Sequence, residues 1–211
     1  GMPEDKEVQN EFLLENAVAH VFIYMVMMWL AVQHSGAQFN PLLTAAAFVA
    51  GELPVLIAAV NMVAQVAGAF VGFFALKWLS NVEDSYLSYK ETPRINAFVF
   101  ELLPSFMITL ALLMTMYYKT SDRGVYAIAV PGVYAVFTLS LGKLYYSRFN
   151  LLLLGVTSAL MTGFSMNMIY VAGGAIMGTI AATALYMLVF KTQPKRDRML
   201  HVADEDREIK F

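Results

Sequence analysis

HSGAQFNPLLTAA, His34 to Ala46, sits between two apolar runs. Asn-Pro ordinarily marks a turn, and turns ordinarily sit in water. Here the flanking sequence, AVAHVFIYMVMMWLAVQ (17–33) and PVLIAAVNMVAQVAGAFVGFFALKWL (54–79), is apolar enough and long enough for a membrane. The stretch therefore decides the fold. Its second half, 40–50, is too short to span and has the length of a half-helix or re-entrant segment.

The rest of the composition agrees. The chain has 211 residues, 59% hydrophobic and 14% charged, against about a quarter charged in soluble domains. Charges gather in 1–15, 80–95, 119–123 and 191–210, and the sequence between them is apolar. A spanning helix needs about 20 mostly apolar residues, and 17–33, 54–79, 96–118, 125–146 and 167–190 qualify. These divisions give a polar N-terminal segment 1–16, a transmembrane domain 17–190 and a charged tail 191–211. The N-terminus is acidic and has no basic region of the signal-peptide kind. Gly1 before Met2 reads as a scar or as the product of a start further upstream. Lys119, Arg123, Lys191, Lys195, Arg196 and Arg198 put the loop after the third span and the tail on one side, which basic residues mark as cytoplasm-equivalent. An odd number of spans then puts the N-terminus opposite.

Several classes are excluded. Net charge is -2, which implies no nucleic-acid partner. There is no Cys and the three His are scattered, so no metal site is expected, and no cofactor. The spans carry no paired carboxylates or nucleophile–base pair, and GAIMGT, 174–179, lacks the Lys of a phosphate loop. The protein is not read as an enzyme.

An internal echo organises the chain. Phe39-Asn40-Pro41-Leu42-Leu43 is answered by Phe149-Asn150-Leu151-Leu152-Leu153. Each opens a short apolar stretch, 40–50 or 150–162, and each lies between two spans. With the odd span 96–118 between them, the two copies enter from opposite sides, an inverted repeat with its site near the bilayer midplane. A break there is tolerated only where it is buried in protein or lines a wet cavity. A half-helix starting there aims unpaired N–H groups and a positive dipole end at the midplane. Asn caps such an end and can offer its amide to a ligand. Pro41 suits the first helical position.

These residues resemble the aquaporin, or major intrinsic protein, family. Ser35, Gly36, Ala37, Asn40, Pro41 and Thr44 match the family's first Asn-Pro-Ala box and its lead-in. AQVAGAFVG (64–72) with Gln65, FVFELLPSFMITLALL (98–113) with Glu101, and MIYVAGGAIMGTIAA (168–182) are similar to later family helices. The resemblance implies an all-α membrane fold with about five full spans and two re-entrant half-helices. It also implies that Glu101 bonds backbone near a half-helix. Gly68, Gly72, Gly174 and Gly178 let helices cross closely, as small residues do in membranes. Ungapped counting puts His20, Thr138 and Ser147 at constriction positions. Leu153 takes the place of the family's filter Arg, and Arg148 lies two residues before Asn150. The departures are an absent counterpart of the first span, Leu42 for the box Ala, and loss of Pro and Arg from the second box.

Each feature also has a plainer reading. Asn40 and Asn150 are either pore donors or buried caps. His20 is either a satisfied core side chain or a lumen group. Leu151 to Leu154 read as packing, Lys143 as a snorkelling side chain, and the Met and Tyr residues as core. Two functions fit this pattern. One is a degenerate, mainly structural protein with little or no conduction, a subunit of a larger assembly whose other subunits fill the place of the missing helix. The other is a working channel for water or small neutral solutes with altered selectivity. The partners are the bilayer and other membrane subunits, or further copies in a homo-oligomer. A plasma membrane and an organelle membrane, the mitochondrial inner membrane included, fit equally.

Overall fold

The computed structural model describes residues 6–80, 94–118, 123–145 and 166–191, and among them every regular element is a helix. In chain order these are α1 (Lys6–Ser35), α2 (Pro41–Val49), α3 (Val55–Ser80), α4 (Arg94–Leu112), α5 (Arg123–Tyr145) and α6 (Met166–Leu185). Two of them finish in a wider π-helical turn: α4 through Leu113–Tyr117 and α6 through Tyr186–Phe190. The second box (Asn150, Leu151, Leu152, Leu153), Ser147, the loop 81–93 and the tail beyond Lys191 lie outside the described residues.

Among the described residues, three stretches are long and apolar enough to cross a bilayer: Val55–Leu79, Ile95–Tyr117 and Met168–Phe190. The other two expected spans fall within helices of 30 and 23 residues, whose described apolar parts include Ala17–Val32 and Val125–Leu141. α1 and α5 pack on each other, as do α4 and α6, and α5 also meets α4.

α2 is the short element. It packs against α3, α6 and α4. Its neighbours fix a common end of the bundle: Gln38 meets Tyr117, Ala37 meets Tyr126, and Glu52 meets Lys191. The C-terminal ends of α1, α2, α4 and α6 therefore gather with the starts of α3 and α5. This is the alternation that successive membrane crossings require.

The α4–α6 crossing is very tight. A Cβ placed on Gly174 would stand 2.1 Å from the Phe98 carbonyl oxygen, and one on Gly178 would stand 2.2 Å from that of Leu102. Only glycine lets the two backbones come so near. Glu101, Ser105 and Thr109 recur at four-residue spacing on α4, all fully buried. Helical neighbours four apart share a face, and this one looks at α6: Gly174 adjoins Glu101 and Thr179 adjoins Thr109. A polar stripe inside a membrane bundle belongs on such a protein-facing side. α3 is the opposite case. It is exposed along nearly its whole length, Trp78 and Leu56 among its outer residues, and no described atom lies within 4 Å of a Cβ at Gly68 or Gly72.

Candidate functional site

The candidate site is the start of α2. After Ser35 the backbone leaves the helix through three residues with positive φ, Gly36 (76°), Ala37 (50°) and Phe39 (47°). Glycine takes this conformation freely. For Ala and Phe it costs about 1 kcal/mol or more each and persists only where neighbours hold it. They do. The Tyr126 hydroxyl donates to the Ala37 carbonyl at 2.7 Å, and the Ala37 N–H donates to Ser35 Oγ. Gln38 is buried, with its amide nitrogen on Tyr117 Oη at 2.8 Å and its carbonyl oxygen accepting from Asn61. Asn61 also donates to the Ser35 carbonyl at 3.0 Å. Polar side chains from three other elements thus fasten the lead-in: Asn61 from α3, Tyr117 from the end of α4 and Tyr126 from α5.

Asn40 comes next, extended and 5% exposed, and it is the N-cap of α2. Its Oδ1 accepts the Leu42 N–H at 2.9 Å, and Pro41 fills the first helical position, where no N–H bond is lost. The Thr44 N–H and hydroxyl both donate to the Asn40 carbonyl, and Gln65 Nε2 on α3 donates to Thr44 Oγ1 at 2.9 Å. A side-chain hydrogen bond also joins Asn40 to Tyr134 on α5, which bonds Tyr24 on α1 as well. The rings of Tyr24 and Tyr134 lie 5.2 Å apart, and Phe39 meets Tyr24 edge-on at 6.1 Å. Met28, Leu43, Ile108, Leu112 and Val130 close the apolar cluster around them.

The family model described as Major intrinsic protein matches residues 2–190. The chain belongs to the major intrinsic protein family. Membership makes it an integral membrane protein with an aquaporin-like channel architecture, and members of this family are channels rather than enzymes. No curated protein matches the chain.

The residues expected at a major intrinsic protein's pore are distributed unevenly. Asn40, Pro41 and Leu42 form the start of α2, with Gln65 tied to it through Thr44. Thr138 is buried on α5, and His20 is exposed on α1. Each stands four residues from a member of the tyrosine pair, His20 before Tyr24 and Thr138 after Tyr134. Since the two helices run in opposite directions, His20 and Thr138 share a level, about 6 Å beyond the pair. Glu101 is buried on α4 against Gly174. Asn150, Leu151, Leu152, Leu153 and Ser147 fall outside the described residues.

The sequence reading missed Tyr24, Tyr134, Gln38 and Asn61. Asn61 is an amide in an apolar span and carried its own signal, because a buried amide in a membrane needs a partner. The tyrosines carried none, since aromatic residues are common throughout these helices.

Proposed function

We propose that the protein is a major intrinsic protein with a closed passage, serving as a structural or accessory subunit of a larger membrane assembly and conducting little or no water. The observation that carries this reading is the crowding of aromatic rings at the start of α2, where Asn40 is only 5% exposed. A solute passing the box would have to displace the rings of Tyr24, Tyr134 and Phe39, which lie 5.2 Å (Tyr24–Tyr134) and 6.1 Å (Tyr24–Phe39) apart in one apolar cluster. Leu at 153, where the family's filter Arg stands, points the same way. The subunit role is supported by α3, whose outer face and two glycines are bare of described neighbours. Such a face is one that another membrane helix would cover. Lys191 and the basic residues after it favour the cytoplasm-equivalent side for this end of the bundle.

Osmotic shrinkage of liposomes carrying the purified protein tests the reading. Water efflux is expected at the rate of empty liposomes. Efflux several-fold faster, abolished by Asn40→Ala, would instead establish the alternative, a channel for water or small neutral solutes with altered selectivity.

A further inference from the structure

The far end of α2 is built as carefully as its start. Gly51 takes φ 72°, its N–H bonds the Phe48 carbonyl at 2.8 Å, and the Glu52 N–H bonds that of Ala47 at 2.9 Å. This is a complete Schellman ending with glycine in the left-handed position. Two things about it are unusual. The Ala50 carbonyl takes its hydrogen bond from the ammonium of Lys191, far along the chain at the end of α6. And the residue after the glycine is an acid, Glu52, which the negative end of a helix dipole disfavours. Lys191 resolves both: its Nζ lies 3.1 Å from Glu52 Oε1, and the Tyr186 hydroxyl donates to the same oxygen at 3.1 Å.

The π-helical turn at the end of α6 aims this lysine. The Lys191 N–H bonds the Tyr186 carbonyl at 2.8 Å, closing a turn one residue wider than α-helical. One extra residue rotates the next side chain about the helix axis by about 100°. The same turn places Tyr186 and Phe190 against Ala50 and Tyr118.

We propose that Lys191 is a positioning residue: a helix C-cap supplied from another element, which with Glu52 latches the outer end of the re-entrant helix to the end of the last span. Asn40 fixes one end of α2 and Lys191 the other. The charge of a single residue at the head of the tail thereby sets how firmly the re-entrant helix is held. The ion pair is half-exposed, its two side chains 41% and 22% accessible, so the latch sits where a modifying group or a competing charge can reach it. The proposal does not depend on whether the protein conducts.

Hydrogen–deuterium exchange of the full chain in lipid nanodiscs tests it. Lys191→Met should speed exchange at the Ala50, Gly51 and Glu52 amides about tenfold, the consequence of losing one charge-assisted cap. The mid-helix amides of α4 and α6 should keep their rates. Lys191→Arg should restore wild-type exchange, because a guanidinium donates to both oxygens. Glu52→Gln, which keeps the shape and the carbonyl cap, should speed the same amides only two- to threefold. Unchanged rates at 50–52 in Lys191→Met would overturn the proposal. So would a speed-up spread equally over α4 and α6, which would make Lys191 a general stabiliser. If Lys191→Met does not fold, Glu52→Gln decides alone: a local two- to threefold effect supports the latch, and no local effect refutes it.

Discussion

α4 on α6 and α3 on its own carry the same small-residue device to opposite ends. Both α3 and α6 place two glycines four apart in an apolar span. On α6 the backbone of α4 fills the notches so closely that no side chain could enter. On α3 the equivalent notches meet no described atom. The pattern thus states a capacity for close approach, and the partner decides whether it is used. α4 also shows what a partner brings with it. Its crossing with α6 shelters Glu101, Ser105 and Thr109, polar groups that lipid would not tolerate, whereas the outward face of α3 carries Val, Leu, Phe and Trp.

Breaking each crossing in turn gives the largest expected contrast. Gly174→Leu or Gly178→Leu drives a side chain into a carbonyl that cannot move without separating two helices. Such overpacking costs about 3 kcal/mol or more, and loss of monodisperse protein in detergent, or a steep drop in Tm, should report it. Gly68→Leu and Gly72→Leu, assayed in the same way on the isolated chain, should change stability by about 0.5 kcal/mol at most. Equal losses at the two pairs would mean that the α3 notches are filled as tightly as those of α6.

A second, smaller effect is expected inside the site. Asn40→Ala removes the N-cap and the Tyr134 partner together, and should cost about 2 kcal/mol. On the closed-passage reading it leaves liposome water efflux at background. A thermal melt and an efflux trace on one preparation check both halves of that statement.

The same division runs through what could be read in advance. Asn40-Pro41 names a cap and a first helical position because both roles are local, set by an oxygen two residues from an N–H and by a ring that fixes φ. Five apolar runs locate five long helices for the same reason: hydrophobic length is a property of one segment. What could not be read is pairing. Tyr24 and Tyr134 are far apart in the chain, and nothing in either span marks these tyrosines over the others. Lys191 reads as one basic residue of the tail and Glu52 draws no notice in an apolar stretch, and the π-helical turn brings them together. The positive φ of Ala37 and Phe39 has no residue-type signal, because the strain is held by Tyr126, Tyr117 and Asn61 from elsewhere.

Those tethers give the third test. Tyr126→Phe keeps the ring and removes the donor to the Ala37 carbonyl, leaving a buried acceptor unmet. The expected loss is about 1 kcal/mol, seen as a lower Tm. Exchange should rise at the Ala37 amide while the α4–α6 crossing keeps its protection. A uniform rise would place Tyr126 in the general core and not in the holding of the loop.

The smallest effect belongs to the outer face of α3, and it asks what solvent that face meets. Val71 is 69% exposed, so Val71→Thr deletes no packing and changes shape hardly at all. In a helix, threonine can return its hydroxyl to the carbonyl four residues back, which satisfies it even in lipid. The cost should therefore stay below about 0.5 kcal/mol. Thr109, the hydroxyl residue at the α4–α6 crossing, is the natural control. It donates to Thr179 across the interface at 3.4 Å, and Thr109→Val removes that donor from a fully buried crossing. A larger loss at Thr109 than at Val71 keeps the two regions distinct. A Val71→Thr loss as large as that of Thr109→Val would show that α3 is packed against protein along this face and that its bare surface is covered in the membrane.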